Sequence, residues 1–186
     1  KNKHEDMHFD KEKISTRIEN IFHEGIEVKL DFLKKNKSLL LDVVEIVSKC
    51  FKDGNKLLAF GNGGSACDAQ HFVGEFVNRF MHDRKPLPAI ALTADMSIIT
   101  SCSNDYSYEH IFSRQIEALG KKGDMAFGIT TSGNSKNVIL GIQKAKEIGL
   151  LTGGLTGNQG GEVGKIVDYH INVGLGKTPR IQETHI

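Results

Sequence analysis

The stretch Lys56-Leu57-Leu58-Ala59-Phe60-Gly61-Asn62-Gly63-Gly64-Ser65 decides the fold, together with a second stretch of the same design at residues 125–135. Each starts as an apolar run that is typical of a buried strand, at 56–60 and at 125–129. Each then passes through Gly, Ser, Thr and Asn residues into a segment that predicts a helix. A strand that opens into a helix in this way presents free backbone N–H groups and the positive end of the helix dipole, which together bind anions, most often phosphate. Two such turns in one small domain indicate a phosphorylated ligand.

Length, charge and cysteine content exclude several classes of function. The 186 residues fit one domain with a hydrophobic core. With 24 Lys and Arg against 23 Asp and Glu, the charge balance gives no electrostatic basis for binding nucleic acid or an anionic membrane surface. No apolar run approaches the ~20 residues that span a bilayer. The three cysteines are odd in number and form no CxxC pair, which predicts reduced thiols in a cytoplasmic protein.

The order of the elements predicts an α/β fold with a five-stranded parallel sheet flanked by helices. Strand-like segments lie at 56–60, 89–92, 125–129, 151–155 and 169–173, and helix-like segments lie between them at 65–81, 109–119, 135–148 and 161–166. This alternation indicates right-handed βαβ units, whose ligands bind outside the carboxyl ends of the strands. Both Gly/Ser turns lie at such ends. The turn at 156–161 lies at a third, although a plain tight turn explains it equally well.

Two amphipathic helices are predicted before the first strand, at 11–35 and 38–51. They either cover the core or pack against partner subunits, and we expect them to mediate oligomerisation. Residues 1–10 are expected to be frayed, which leaves 11–186 as the domain. Residues 178–186 predict the first turns of a helix, with Thr178 as N-cap and Pro179 at the first helical position. We expect this C-terminal helix to be truncated in this sequence.

The first turn also fits the loose dinucleotide pattern G-x-G-x-x-A at residues 61–66. A nicotinamide enzyme needs an acidic residue near the end of the next strand to hold a ribose, and Asp95 lies close to that place. The second turn argues against this interpretation, because Thr130, Thr131, Ser132 and Ser135 supply the several hydroxyl donors that a terminal phosphate needs. A phosphate monoester is therefore favoured over a dinucleotide.

The helix after the first turn carries His71 and Glu75 one turn apart, and Asp68 and Arg79 extend the same polar row. The plain interpretation is an exposed polar pair, or a His that is hydrogen-bonded in the core. Because this helix starts at the expected phosphate turn, the pair could instead border the ligand's cleft and share a divalent ion or act as acid and base. The segment Asn104-Asp105-Tyr106 is predicted to lie in a loop, where Asn and Asp often only form a turn.

Together these residues resemble the sugar-isomerase (SIS) domain family and, within it, the sedoheptulose-7-phosphate isomerases, also called phosphoheptose isomerases. The resemblance covers residues 37–186. It rests on the two turns, on Asp68-Ala69-Gln70-His71-Phe72 with Glu75, and on Arg180-Ile181-Gln182-Glu183. The turns alone would indicate only the broad fold family, whereas the His71–Glu75 spacing combined with Arg-Ile-Gln-Glu is much more specific.

The resemblance implies an aldose–ketose isomerase that converts sedoheptulose 7-phosphate into D-glycero-D-manno-heptose 7-phosphate for the heptoses of lipopolysaccharide or capsule. It also implies a cytoplasmic homotetramer with one zinc ion per subunit. Glu75 would be the general base, and His71, Glu75 and Gln182 would ligate the metal. The substrate-binding residues that it implies are Asn62, Gly63, Ser65, Arg79, Asn104, Asp105, Thr130, Thr131, Ser132, Ser135 and Gln182.

The sequence departs from the family pattern at its end. The family has a second catalytic histidine one to two turns beyond the position of His185, past Ile186, so no catalytic role is assigned to His185. The alternative function is that of a non-catalytic SIS protein, which binds sugar phosphates as a regulator or associates as a tetramer with a replication initiator. A binding module need not keep both His71 and Glu75, and this sequence has both.

Overall fold

The computed structural model describes residues 10–174 and 176–186. Its centre is a parallel five-stranded sheet in the order β2-β1-β3-β4-β5. The strands are β1 (Leu57–Gly61), β2 (Ala89–Ala91), β3 (Met125–Thr130), β4 (Leu151–Gly157) and β5 (Tyr169–Val173). The predicted α/β fold and all five predicted strands are confirmed, because short apolar runs with turn residues after them leave few other ways to bury the chain.

The winding of the sheet reverses between β1 and β3. Strand β1 pairs with β2 on one side and with β3 on the other, so the loops that leave the carboxyl ends of β1 and β3 run to opposite faces. Such a reversal opens a crevice at the sheet edge where α/β proteins bind their ligands. The two predicted anion-binding turns follow β1 and β3 directly, and both therefore lie at this crevice.

Seven helices of the described residues cover the two faces of the sheet. They are α1 (Lys11–Lys52), α2 (Gly64–Val77), α3 (Met96–Asp105), α4 (Ile111–Leu119), α5 (Lys136–Ile148), α6 (Gly161–Ile166) and α7 (Thr178–His185). One core lies between the sheet and α3 to α6, and the other lies between the sheet and α1 and α2. Strand β1 feeds both cores by alternation, because Leu58 and Phe60 face the first and Leu57 and Ala59 face the second.

The prediction of two N-terminal helices is wrong, because α1 continues unbroken from Lys11 to Lys52. The predicted break lies at residues 36–37. In the structure Asn36 is buried, and its amide donates to the Phe32 carbonyl (2.9 Å) and to the Asn172 carbonyl of β5 (3.3 Å). The side chain thus docks the helix on the sheet edge. A stripe of exposed apolar residues remains along α1: Ile18, Phe22, Ile26, Leu30, Leu33, Leu41 and Val44.

The prediction that Asn104 and Asp105 lie in a loop is wrong, because both residues are in the last turn of helix α3. The helix is held at its start by Asp95, whose carboxylate accepts from the amides of Ser97 (2.9 Å) and Ile98 (3.1 Å). An N-cap of this kind offsets the weak helix propensity of the Ser- and Thr-rich segment. Asp95 is therefore engaged as a cap, which removes the acidic residue on which the dinucleotide interpretation depended.

Helix α2 ends at Val77 rather than at the predicted Met81. The guanidinium of Arg84 donates to the carbonyls of Glu75 (2.6 Å) and Phe76 (2.8 Å), which satisfies two carbonyls at the end of the helix. Arg79 consequently lies beyond the helix and does not continue its polar row.

Two further observations concern the N-terminus and the possibility of membrane-spanning helices. The predicted frayed N-terminus falls largely on residues 1–9, which lie outside the described residues, whereas Asp10 is the N-cap of α1 and accepts from the Lys13 amide (3.1 Å). None of the helices in the described residues is both long and apolar enough to cross a bilayer.

Candidate active site

The helices that begin at the crevice lack side-chain N-caps. Gly63 precedes α2 and has no side chain, and the hydroxyl of Ser135, which precedes α5, does not bond to the first turn. In contrast, Asp10 and Asp95 cap α1 and α3 with their carboxylates. In α2 the amides of Ser65 and Ala66 donate to the carbonyls of Asn62 and Gly63 (3.0 Å each), which leaves the Gly64 amide without a partner in the described residues. This amide, the first amides of α5 and the positive ends of two helix dipoles are thus available to an anion at the crevice.

A cluster of hydroxyl groups lies at the start of α5. The buried Thr130 Oγ1 is 3.0 Å from Ser135 Oγ and 3.4 Å from Ser132 Oγ. Ser65, also buried, stands in the first turn of α2. These hydroxyls can reorient to donate to a phosphate, which explains why the turn combines Thr and Ser instead of carboxylates. Thr131 lies beside this cluster, half-buried and outside its hydrogen bonds.

The two turns are tied together by a pair of amide side chains. Asn62 Nδ2 donates to Asn137 Oδ1 (2.8 Å), and Asn137 Nδ2 donates back to Asn62 Oδ1 (2.9 Å). The hydroxyl of Tyr108 also donates to Asn62 Oδ1 (2.8 Å). This network fixes the distance between the turns. The sequence analysis missed Asn137 and Tyr108, because 75 and 46 residues separate them from Asn62 and no local pattern marks either one.

The turn at 156–161 supports the phosphate turn and is no third anion site. The amide of Val163 donates to the Gly133 carbonyl (2.9 Å), and the amide of Glu162 donates to Asn134 Oδ1 (3.0 Å). The first amides of α6 are therefore used by the β3–α5 turn. Gly133 has φ +69°, and a Cβ on it would overlap the Gly160 carbonyl. The backbones of the two turns are in contact there. The turn at 156–161 is therefore a plain tight turn, which was one of the two interpretations of the sequence.

The predicted acid–base pair lies on the exposed side of α2. His71 Nε2 is 3.3 Å from Glu75 Oε1, and the two side chains are 60% and 38% exposed. Gly64, Asp68, His71 and Glu75 follow one another at helical spacing, so they share one face of α2. This face begins at the anion-binding turn, and the imidazole and carboxylate extend it away from the phosphate position.

Helix α7 brings Gln182 to the start of that face. A Cβ on Gly64 would overlap the carboxamide of Gln182, so glycine at this position is what allows the side chain to lie there. His185 follows one turn later, and its Nε2 lies 3.1 Å from the Thr156 carbonyl. Burial lowers the pKa of His185, which favours the neutral imidazole and fits a structural role for this residue.

An apolar cavity of about 330 Å³ separates α1, α2 and α7 beneath this face. Asp68 and His185 line it, and within the described residues neither Asp68 Oδ2 nor His185 Nδ1 has a hydrogen-bond partner. Burial raises the pKa of Asp68, and the neighbouring His71 partly opposes this shift.

Three predicted substrate-binding residues lie outside the hydroxyl cluster and the His71–Glu75 pair. Arg79 is exposed in the segment after α2. Asn104 donates to Asp105 Oδ1 (2.9 Å), and Asp105 lines a cleft between α3 and α4 with Tyr106 and Arg114. Their contacts with substrate stay predictions.

The donor atoms for a metal are of suitable type but few. Within the described residues there is no group of three or more His, Cys, Asp and Glu side chains arranged to hold an ion. His71 and Glu75 supply an imidazole nitrogen and a carboxylate oxygen 3.3 Å apart, whereas the carboxamide of Gln182 lies over Gly64, seven residues before His71 on α2. Nitrogen and oxygen donors of this kind fit zinc.

Comparisons with known proteins agree with this geometry. Residues 22–157 match the SIS domain family. The phosphoheptose isomerase of Aquifex aeolicus is 53% identical over 170 residues, which cover 91% of this chain and 89% of that protein. The structure of the phosphoheptose isomerase from Neisseria gonorrhoeae superposes with a TM-score of 0.87 at 40% identity, covering 93% of this chain and 92% of that one. The Francisella tularensis enzyme gives 0.88 at 34% identity, with 91% of each chain covered. This chain therefore belongs to the SIS domain family, in the branch of the phosphoheptose isomerases.

Proposed function

We propose that this chain is an aldose–ketose isomerase that converts sedoheptulose 7-phosphate into D-glycero-D-manno-heptose 7-phosphate in heptose biosynthesis. The observation that carries the proposal is the meeting of two uncapped helix N-termini and a hydroxyl cluster at one crevice, with a His–Glu pair on one of those helices. The first part holds a phosphate, and the second supplies an acid–base group farther along the same ligand.

Phosphate binding would set the geometry of the reaction. The hydroxyls of Ser65, Thr130, Ser132 and Ser135, with the Gly64 amide of α2 and the first amides of α5, anchor the 7-phosphate. The binding energy of this distant group then orients C1 and C2 beside Glu75. A sugar that lacks the phosphate would lose this orientation, and turnover would fall along with affinity.

Glu75 is the proposed base. Isomerisation moves a proton between C2 and C1 of the open-chain sugar through a cis-enediol, and one carboxylate on one face of the sugar can remove and return that proton. Arg84 holds the carbonyl of Glu75, so the backbone that carries the base is fixed where α2 ends. The neighbouring His71 imidazole orients the Glu75 carboxylate at 3.3 Å.

We also propose that His71, Glu75 and Gln182 hold one zinc ion. When bound, zinc supplies a Lewis acid that polarises the oxygens on C1 and C2 and so stabilises the charge of the enediol. Coordination by zinc lowers the basicity of the Glu75 carboxylate. Glu75 can therefore act as the base when the zinc site is only partly occupied. Elemental analysis of the purified protein, with His71→Ala as the comparison, measures whether one equivalent is bound.

Assembly into a cytoplasmic homotetramer is the remaining part of the proposal, with lipopolysaccharide or capsule heptose as the end use. The apolar stripe along α1 and the exposed Phe80 and Met81 after α2 support the assembly, because a surface with that many large apolar groups in a row favours burial against other subunits. Sedimentation equilibrium gives the subunit number directly.

Glu75→Gln tests the proposed chemistry. Turnover of sedoheptulose 7-phosphate should fall by several orders of magnitude, while substrate still binds, because the amide keeps the shape of the side chain but accepts no proton. In D₂O the wild-type protein should incorporate solvent deuterium at C1 or C2. The matched control is Glu162→Gln, which removes an exposed carboxylate that pairs with Lys165. Near-normal turnover by Glu75→Gln would show that Glu75 is not the base.

The regulatory alternative finds less support. A module that only binds sugar phosphates has no need of an imidazole and a carboxylate 3.3 Å apart on the face that leads from the phosphate site. The similar proteins described above carry the name of an isomerase.

A further inference from the structure

We propose that Arg180 is a positioning residue, which latches α7 to α1 and thereby holds Gln182 over the start of α2. The inference rests on the proposed function, since it assigns Arg180 to the site through Gln182. Arg180 itself lies on the side of α7 that faces α1.

The contacts of Arg180 form a latch between two helices. Its Nη1 donates to the Ile21 carbonyl in the first third of α1 (3.0 Å) and pairs with Glu183 Oε2 on its own helix (2.7 Å). Its Nε lies 4.0 Å from Glu24 Oε2, and the side chain is only 11% exposed. A guanidinium can serve several acceptors at once because its donors form a rigid planar fork.

Gly25 explains how the guanidinium approaches the helix. A Cβ at this position would lie 3.3 Å from Arg180 Nη1 and 3.4 Å from Glu183 Oε2, which is tighter than ordinary contacts. Glycine inside a helix costs about 1 kcal/mol relative to alanine. Glycine at this position thus leaves room for the guanidinium to lie against α1.

Helix α7 depends on such contacts for its position. It has only eight residues, and an isolated helix of this length is not stable in water. Ile181 is fully buried against Gly157, and His185 contacts the Thr156 carbonyl at the other end. Arg180 fixes the first turn, and Gln182 lies between these anchors. Loss of the Arg180 latch would let the first turn swing, and the carboxamide over Gly64 would move with it.

The experiment is a double-mutant cycle of Arg180→Ala and Gln182→Ala, read by kcat and by the inhibition constant of inorganic phosphate. We expect each single variant to lower kcat about tenfold and the double variant to be no slower than Gln182→Ala alone. The inhibition constant for phosphate should stay within about twofold of wild type, because Thr130, Ser132 and Ser135 are held by one another at the start of α5 and not by Arg180. Arg180→Lys keeps the charge but replaces the planar fork of donors with a single ammonium group, which cannot match the geometry of the guanidinium, so it should lose part of the activity and still fold.

Lys177→Ala is the matched control. Lys177 pairs with Glu24, an acid that Arg180 also faces, but its side chain is 78% exposed and precedes α7. We expect wild-type kcat for this variant. A second measurement needs no turnover: the side-chain amide resonances of Gln182 in the ¹⁵N–¹H spectrum should shift in Arg180→Lys and stay in place in Lys177→Ala.

The outcomes separate the inference from the proposed function. If the losses in kcat multiply in the double variant, or if the Gln182 amide resonances do not move in Arg180→Lys, the positioning role is refuted. If phosphate inhibition weakens by the same factor as kcat, Arg180 stabilises the whole site and not Gln182. A wild-type protein without isomerase activity would refute the proposed function, and the resonance shifts would then still decide whether Arg180 positions Gln182.

Discussion

Replacing Gly133 with alanine tests whether α6 holds the phosphate-binding turn in its working shape. Gly133 has φ +69°, a region that costs an L-residue about 1–2 kcal/mol. The new Cβ would overlap the Gly160 carbonyl and stand 2.8 Å from the Gly161 nitrogen. Both are backbone atoms, so neither can swing aside as the end of a side chain would. The two turns must separate instead.

Separation would break two hydrogen bonds, from the Val163 amide to the Gly133 carbonyl and from the Glu162 amide to Asn134. Each contributes about 0.5–1.5 kcal/mol. With the backbone strain included, we expect Gly133→Ala to lower the free energy of unfolding by about 2–5 kcal/mol. Because the displaced turn carries Ser132 and Ser135, the dissociation constant of inorganic phosphate should rise by about tenfold or more.

Gly54→Ala supplies the matched control. Gly54 has φ +77°, nearly the same backbone conformation, but nothing lies within 4 Å of the position that a Cβ would take. This variant should show only the strain of about 1–2 kcal/mol. Urea denaturation gives both free energies, and titration calorimetry gives both phosphate affinities. If Gly133→Ala is no less stable than Gly54→Ala and binds phosphate equally well, α6 does not hold the turn.

Two further predictions concern buried or partly buried titratable side chains. Asp124 is fully buried and accepts from the amides of Lys56 (3.0 Å) and Lys121 (2.9 Å) and from the Lys56 ammonium, so Asp124→Ala should lower the free energy of unfolding by about 3–5 kcal/mol in urea denaturation. Burial lowers the pKa of His170, so below about pH 6.5 the unfolded chain binds more protons and stability should fall as the pH drops towards the folded-state pKa. His170→Gln should reduce that loss between pH 7 and 5, and an unchanged pH dependence would contradict the assignment.

The sequence predicts what depends on local pattern. The strands follow from short apolar runs, and the two turns follow from Gly, Ser, Thr and Asn residues placed directly after β1 and β3. The pairing of His71 with Glu75 follows from helical spacing alone, and the structure places the two side chains 3.3 Å apart. These features needed no knowledge of distant residues.

The features that the sequence did not predict depend on residues far apart in the chain. Helix α1 is continuous because Asn36 reaches a carbonyl on β5, 136 residues away. Helix α2 stops early because Arg84 folds back onto its last carbonyls. Helix α3 was overlooked because its Ser, Thr and Asn residues have weak helix propensity, and only the Asp95 cap and packing against α4 make it stable.

The distribution of N-caps connects stability with function in this fold. A side-chain N-cap contributes about 0.5–2 kcal/mol, and α1 and α3 each use an aspartate for it. The other five α-helices of the described residues have no side-chain cap, but the first amides of α6 donate to the β3–α5 turn, and the Ser65 and Ala66 amides of α2 donate to backbone carbonyls. Of the two helices at the crevice, α5 is the one whose first amides remain for an anion. A phosphate in the crevice would satisfy these amides, and binding it would stabilise the native state by mass action. A carboxylate cap at Gly63 or Ser135 would satisfy the amides permanently but would repel the phosphate. The absence of a carboxylate cap at α5 therefore fits the binding of an anion there.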